Sequence, residues 1–309
     1  MKFVDTEALR IACLDAGPAD GWPVILSHGF PYDVHAFDDV VPILADAGAR
    51  VIRPYCRGFG ATRFRSDQAM RSGQQAARAL DLIQLADALQ LDRPILGGFD
   101  WGGNASCVAA ALWPGWIGGL VSYAGYDVID VRQQRQPLDP HLERICWYQH
   151  LFQTERGQDC LSQDRRSLCR MLWREWSPDW KFDEATYERS VGALDNPDFV
   201  DVVIHCYRWM FGLAEGDATL QGFEDRLAAH PPITVPAVTL DGMLDPLKPG
   251  GTADHASHFV ARHDHRRVPT GHNLPQEAPA AFAEAVLDVH AWCTNGPPTA
   301  EWRLPSRLR

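Results

Sequence analysis

Residues 93–103 read RPILGGFDWGG, and this stretch decides the fold. Its apolar run is too short for a helix and predicts a buried β-strand. The run ends in Gly98-Phe99-Asp100-Trp101-Gly102, which has the form of a Gly-x-Ser-x-Gly motif with aspartate in the serine position. The residues that follow, NASCVAAALWP, are small and apolar, as a helix packed on a sheet needs. The order of strand, sharp turn and helix therefore places Asp100 at the carboxyl edge of a sheet.

The glycines on either side of Asp100 meet a physical requirement. Such a turn strains its central residue, and a side chain at 98 or 102 would collide with neighbouring backbone. The dipole of the following helix favours the ionised carboxylate, which is the nucleophilic form. The alternative, an aspartate that only caps the helix, does not account for the two glycines.

Strands and helices alternate on both sides of this motif. The other predicted strands lie at 23–31, 49–62, 117–125, 235–245 and 265–273, and the other predicted helices at 74–90 and 278–293. This alternation predicts an α/β protein with a mostly parallel, doubly wound sheet.

The strand signal disappears between residues 128 and 226. This segment is rich in Trp, Arg, Gln and His, with helical stretches around 141–153, 161–175 and 197–213. We therefore predict a core formed by residues 1–127 and 227–309, interrupted by a helical cap at 128–226. The final stretch, TNGPPTAEWRLPSRLR, is predicted to be loosely held.

Composition excludes several classes of function. The 309 residues are 46% hydrophobic and 22% charged, and the net charge of −11 argues against nucleic acid and anionic membranes as partners. No apolar stretch has the length of a membrane span, and the N-terminal residues contain no apolar core of signal-peptide length. The eight cysteines are scattered singly, so we expect no metal, no cofactor and a cytoplasmic protein with reduced thiols. The oligomeric state stays open, a homodimer included.

An aspartate nucleophile restricts the chemistry. A carboxylate that attacks an ester forms only a labile anhydride, whereas at saturated carbon it displaces a leaving group and forms a stable alkyl ester. That ester of Asp100 must then be hydrolysed, which requires a general base.

The base and its orienting acid are predicted from their positions along the chain. His272 follows the last predicted strand behind a turn glycine, and the order nucleophile, acid, histidine is the one expected with this motif. Asp245, in the loop beyond the preceding strand, is the predicted acid that orients the imidazole. Asp241 is predicted to cap the turn, and Asp127 is the alternative acid.

Two backbone groups are predicted to bind the oxyanion. His28-Gly29-Phe30-Pro31 follows an early strand, in analogy with the His-Gly motifs of lipases. We assign the N–H groups of Phe30 and Trp101 as donors to the oxyanion that forms when water attacks the ester.

At these residues the sequence resembles the epoxide hydrolase branch of the α/β-hydrolase superfamily. The matching runs are HGFP (28–31), RGFG (57–60), GFDWGG (98–103) and GHNLPQEAP (271–279), and the resemblance covers the whole chain. It implies an α/β-hydrolase fold with a cap, a small apolar epoxide and water as substrates, and a vicinal diol as product.

The resemblance also assigns two tyrosines of the cap. Members of this branch carry cap tyrosines that donate hydrogen bonds to the epoxide oxygen, and here Tyr148 in WYQHLFQ and Tyr207 in CYRW occupy these contexts. The alternative is that both rings only pack the cap. We further expect four neighbouring residues to line the substrate pocket: His28, Pro31, Trp147 and Trp209.

Two rival functions remain. Haloalkane dehalogenases share the aspartate nucleophile, and Trp101 would suit their halide site, but they often carry Asn where this chain has Phe30. Fluoroacetate dehalogenases carry arginines where this chain has Trp101 and Asn104. A ligand-binding protein that reuses the fold is the second rival, although a receptor needs neither the triad nor the oxyanion motif.

Overall fold

A mixed sheet forms the centre of the protein in the computed structural model, which describes residues 1–294. Its nine strands are β1 (Lys2–Asp5), β2 (Leu9–Ala16), β3 (Trp22–Ser27), β4 (Ala49–Pro54), β5 (Arg63–Phe64), β6 (Ile95–Gly98), β7 (Gly119–Tyr123), β8 (Ala237–Gly242) and β9 (His263–Val268). The order is β1-β2-β4-β3-β6-β7-β8-β9, with β5 paired to β2. The prediction for the C-terminal tail falls on residues 295–309, outside the described residues, apart from Thr294.

Six neighbouring strands of the sheet run parallel, in the order β4, β3, β6, β7, β8 and β9, which confirms the predicted α/β class. All six predicted strands are present. The sequence analysis missed β1, β2 and β5, which pair antiparallel at one edge. β1 and β5 are short and largely exposed, so they lack the buried apolar run on which the prediction relied.

Helices cover both faces of the sheet. The core helices are α1 (Val40–Asp46), α2 (Gln75–Ala88), α3 (Trp101–Leu112), α10 (Leu274–Glu277) and α11 (Pro279–Thr294). α2 packs beside α3 on one face, and α1 packs beside α11 on the other. The predicted helix at 74–90 therefore corresponds to α2, and the one at 278–293 to α11.

Six helices lie between β7 and β8, in the segment without strand signal. They are α4 (Pro140–Ile145), α5 (Trp147–Leu151), α6 (Glu155–Trp176), α7 (Glu184–Val191), α8 (Phe199–Met210) and α9 (Gln221–Leu227). The sequence analysis placed most of α9 in the cap, but this helix packs on α3: the ring of Phe223 lies 5.0 Å from that of Trp113. Arg226 also donates a hydrogen bond to the Leu112 carbonyl, 2.9 Å away.

The end of cap helix α6 packs directly on the core. Trp173 and Trp176 of α6 are fully buried in the same hydrophobic cluster as Phe30 and Phe99 of the core. The Trp173 indole N–H donates to the Pro31 carbonyl at 3.0 Å, and the Trp176 carbonyl accepts from the His272 N–H at 3.0 Å. The end of α6 thus fixes two loops that carry predicted site residues.

Residues 1–294 contain no helix with the length and apolar character needed to cross a bilayer.

Candidate active site

Asp100 occupies the sharp turn between β6 and α3. Its backbone has φ 52° and ψ −132°, a conformation that is strained for any residue other than glycine. A Cβ at Gly102 would lie 1.9 Å from the Ser27 carbonyl oxygen, and one at Gly98 would lie 2.4 Å from the carbonyl of Gly102. Both predicted collisions are therefore confirmed, and they explain why the turn needs these two glycines.

The two predicted oxyanion donors converge on one oxygen of Asp100. Its Oδ1 accepts hydrogen bonds from the backbone N–H groups of Phe30 at 2.7 Å and Trp101 at 2.6 Å. This approach requires Gly29, because a Cβ there would lie 2.1 Å from Asp100 Oδ1. The other oxygen, Oδ2, lies 3.3 Å from His272 Nε2.

His272 joins two carboxylates. Its Nδ1 lies 2.9 Å from Asp245 Oδ2, which also accepts a hydrogen bond from the Tyr123 hydroxyl at 2.7 Å. Asp245 Oδ1 accepts from the Leu247 N–H at 2.8 Å, so the buried acid is held at both oxygens. The structure thus brings Asp100, His272 and Asp245 into one hydrogen-bonded row.

The other two candidate acids do not contact His272. Asp241 lies within β8 and accepts hydrogen bonds from the Thr252 N–H at 2.6 Å and from its hydroxyl at 2.7 Å, so it binds the far end of the loop that follows β8. Among the described residues, only Asp245 and Asp100 accept a hydrogen bond from the ring of His272. Asp127 therefore does not replace Asp245 as the partner.

The hydrogen bonds and charges of this row shift the pKa values of His272 and Asp245. Burial alone would lower the pKa of His272, but the charges of Asp245 and Asp100 and their hydrogen bonds outweigh it and raise the pKa to about 10. Burial likewise opposes ionisation of Asp245, yet its contacts with His272 hold the pKa of this carboxyl below its usual value. The raised pKa favours the imidazolium form of His272.

The two predicted cap tyrosines face the same cavity as Asp100. Tyr148 of α5 and Tyr207 of α8 are each 3% exposed, and their rings are perpendicular with centroids 5.5 Å apart. Burial raises the pKa of both hydroxyls well above the usual value, so both stay protonated and can donate. Gln149 Nε2 donates to the Tyr148 oxygen at 3.0 Å and so fixes that hydroxyl.

The cavity has a volume of about 460 Å³ and suits a small organic molecule. Asp100, His272, Tyr148 and Tyr207 line it together with apolar side chains: Trp101, Ile129, Leu142, Met210 and Leu247. Its exposed rim includes the loop at 247–251. Within residues 1–294, no group of three or more His, Cys, Asp or Glu side chains could hold a metal ion.

The four expected pocket residues do not line this cavity. His28 is fully buried, with its Nε2 accepting from the Cys56 N–H at 3.1 Å. Pro31 lies beneath α6, where its carbonyl binds Trp173. In the chain, Trp147 directly precedes Tyr148, and Trp209 lies two positions after Tyr207. Residues one or two positions apart on a helix face different directions, so neither tryptophan shares the direction of its tyrosine.

Several cavity residues were missed by the sequence analysis as site residues. Tyr123, at the carboxyl end of β7, supports Asp245, and its place at the end of a central strand was a usable signal. Arg78 and Asn104 also line the cavity. Arg78 lies inside a regular helical pattern, and nothing in the sequence indicates which way its side chain points.

The comparisons with known proteins concern the fold and the family of the chain. A family model described as the alpha/beta hydrolase fold matches residues 23–160. A Klebsiella pneumoniae protein of known structure, provisionally named an epoxide hydrolase, is 43% identical, covers 94% of this chain and 97% of its own, and has a TM-score of 0.92.

Two curated relatives match over shorter regions. Epoxide hydrolase B of Mycobacterium tuberculosis is 30% identical over 171 residues, which cover 50% of this chain and 47% of that protein. A haloalkane dehalogenase of Psychrobacter cryohalolentis is 41% identical over 97 residues, 31% of each chain. The chain thus spans about half or less of the length of these curated relatives.

Proposed function

Because the chain belongs to the epoxide hydrolase branch of the α/β-hydrolase superfamily, we propose that it hydrolyses a small epoxide to a vicinal diol through an alkyl ester of Asp100. The observation that carries the proposal is the pair of buried hydroxyls, Tyr148 and Tyr207, that share the cavity with the carboxylate of Asp100. A leaving oxygen that stays attached to the product needs such proton donors.

The first step forms the ester. Asp100 Oδ1 is held by two N–H donors, so Oδ2 is the oxygen that attacks an epoxide carbon. The carbon–oxygen bond of the ring breaks as the new ester bond forms, and the developing alkoxide takes a proton from Tyr148 or Tyr207.

Esterification of Asp100 then changes the state of His272. The ester is neutral, so one of the two carboxylates that raise the pKa of His272 disappears. The imidazolium can now lose its proton to solvent while the tyrosinate regains one from solvent, which leaves neutral His272 beside the ester. The histidine thereby becomes a base only after the intermediate has formed.

The second step hydrolyses the ester. His272 takes a proton from water as the water oxygen attacks the ester carbonyl, and the N–H groups of Phe30 and Trp101 bind the oxyanion. Collapse breaks the bond between the carbonyl carbon and the substrate oxygen. The departing alkoxide takes the proton of the newly formed carboxylic acid, which completes the diol. The carboxylate of Asp100 and the imidazolium of His272 are then restored.

A comparison of leaving groups tests the proposal. We expect diol from epoxides and little halide from haloalkanes of the same carbon skeleton. Removing one donor from a developing oxyanion costs ~10²–10³-fold, so Tyr148→Phe and Tyr207→Phe should each slow ester formation by about that factor. Single-turnover kinetics separates this step from ester hydrolysis, which should change little.

Tyr187→Phe is the matched control, since this buried cap tyrosine donates its hydroxyl to the Arg166 carbonyl and does not line the cavity. It should leave ester formation within a few-fold of the wild-type rate. Efficient halide release that survives loss of both Tyr148 and Tyr207 would instead assign the protein to the dehalogenases.

A cytoplasmic location is part of the same proposal. All eight cysteines lie in the described region and are free, as expected for a protein in a reducing compartment.

A further inference from the structure

Arg78 places a buried positive charge on the wall of the candidate active-site cavity. It lies on α2, is 4% exposed, and lines the cavity together with Asp100 and Tyr207. In the described part of the chain no carboxylate forms an ion pair with it, whereas the neighbouring Arg57 is paired with Asp81 at 2.7 Å. A buried charge without an ionic partner is costly, which points to a role in binding.

The guanidinium of Arg78 is held in place but not saturated. One Nη donates to Asn104 Oδ1 at 2.7 Å, and the other lies 3.5 Å from Cys206 Sγ, a weak acceptor. The group lies over the Trp101 ring, 4.8 Å from its centroid. Nε is buried and has no hydrogen-bond partner. Since a guanidinium has five N–H donors, several of them remain for a ligand.

We propose that Arg78 forms a subsite for a carboxylate on the substrate, so that the preferred substrates are epoxides of small organic acids. This inference rests on the proposed epoxide hydrolysis and adds the class of substrate. The planar fork of a guanidinium matches the two oxygens of a carboxylate, and the geometry is fixed before the substrate enters.

The position of Arg78 favours recognition of a group on the same molecule that reacts. Its contact residues, Trp101, Asn104 and Cys206, all line the cavity, and Trp101 directly follows the nucleophile. A carboxylate bound there would hold the epoxide in the same enclosed space as Asp100. Such positioning converts binding energy into correct orientation.

Two other charged residues of the cavity are compatible with an acidic substrate. Lys248 lies on the exposed rim, where solvent screens its positive charge. Asp127 also lines the wall, but burial raises the pKa of this carboxyl and favours its neutral form. This shift weakens the repulsion between Asp127 and a bound carboxylate.

The test compares ω-epoxy acids of about three to six carbons with their primary amides, which have nearly the same shape without the charge. The measured quantity is the ratio of kcat/KM for the acid to kcat/KM for the amide. We expect the wild-type ratio to exceed one. Loss of one partner of a buried charge pair typically costs ~10²-fold or more, so Arg78→Met should lower the ratio by about 10². Arg78→Lys should give an intermediate ratio, because it keeps the charge and loses the fork.

Lys248→Met is the matched control for a general effect of positive charge. Because this side chain is exposed and screened, its removal should change the ratio by less than about threefold. A wild-type preference for the amides, or equal losses in Arg78→Met and Lys248→Met, would overturn the inference. Diol formation from both substrate types in that case would leave the proposed function intact.

A binding measurement tests the subsite without turnover. Calorimetry should show that butanoate binds wild type more tightly than butanamide does, and that Arg78→Met removes the difference. Equal binding of the two compounds to wild type would reject the subsite even if no epoxide is hydrolysed. If Arg78→Met does not fold, as judged by its melting curve, Arg78→Lys is used, and an unchanged preference in a folded Arg78→Lys variant would likewise reject it.

Discussion

His272 lies between the carboxylates of Asp245 and Asp100. The proposed mechanism requires that Asp100 lose its charge when it is esterified. Without a base, Asp100 can still be alkylated, but the ester is no longer hydrolysed efficiently. We therefore expect His272→Gln to accumulate an ester on Asp100. Mass spectrometry of the intact protein would show it as an increase by the mass of one substrate molecule. Base catalysis is typically worth ~10²–10⁴-fold, which sets the expected slowing of the second step.

Asp245→Asn serves as the comparison for that variant. It leaves the imidazole in place but removes the charge that orients it, so the ester should accumulate to a smaller extent. Normal steady-state turnover by His272→Gln, with no added mass, would show that another group activates the water.

The same histidine makes folding stability depend on pH. The folded protein raises the pKa of His272 from 6.5 to about 10 through Asp245 and Asp100, despite burial. The folded state therefore binds this proton more tightly, so the stabilisation is fully present below pH 6.5 and is lost as the pH rises through about 10. By linkage, a shift of this size corresponds to a few kcal/mol, ~1.4 kcal/mol for each pH unit.

Urea unfolding of wild type and His272→Gln between pH 6.5 and 10 measures this contribution. Buried thiols act in the same direction, since burial raises the pKa of Cys56 to about 12, and they remain in both proteins. The difference between the two free energies of unfolding thus isolates His272. Parallel curves for the two proteins would mean that the folded state does not raise this pKa.

At the scale of an element, the turn between β6 and α3 is the most constrained part of the fold. Gly102→Ala would place a Cβ 1.9 Å from the Ser27 carbonyl oxygen, which is backbone of β3 and cannot move aside cheaply. We expect a loss of several kcal/mol of stability, in the ~4 kcal/mol range of exceptional substitutions, together with loss of activity. Chemical denaturation and circular dichroism would measure the first effect.

Gly222→Ala is the control for this substitution. Gly222 lies within α9, and a Cβ there would meet no atom within 4 Å. Alanine should stabilise the helix by ~0.5–1 kcal/mol because it loses less conformational entropy than glycine on folding. A Gly102→Ala variant as stable as wild type would show that the turn can open without cost.

At the scale of the whole molecule, the cap and the core should unfold together. Asn196 of the cap is 2% exposed, and its Nδ2 donates to the carbonyls of Gly60 at 3.1 Å and Thr62 at 2.7 Å in the core. Asn196→Ala removes both bonds, at a cost of ~1–3 kcal/mol for a buried polar contact. We expect Tm to fall by several degrees while unfolding stays a single transition. Far-UV and near-UV circular dichroism would measure this transition.

Gln163→Ala is the control, because this cap side chain is exposed and its removal should change stability by less than about 0.5 kcal/mol. Two separate transitions, with the cap melting first in Asn196→Ala, would contradict a common hydrophobic core. Such a result would identify the cap as an independently unfolding unit.

The sequence by itself determined the order of elements and the central row of the site. Short apolar runs that end in glycines predict strands and turns locally, and the turn around Asp100 can form only with its own glycines. His272 and Asp245 were predictable because residues that follow parallel strands meet at the same edge of a sheet. No such rule covers the edge strands β1 and β5, which are short and exposed.

The tertiary structure alone decided which side chains face the cavity. Trp147 and Trp209 lie next to the tyrosines in the chain yet do not line it, whereas Arg78, far from any motif, does. The position of a residue along a helix predicts the direction of its side chain only relative to the side chains of neighbouring residues. The packing of α2 on α3, and of α5 and α8 on α6, sets the absolute direction of each side chain, and with it the charge that a substrate meets.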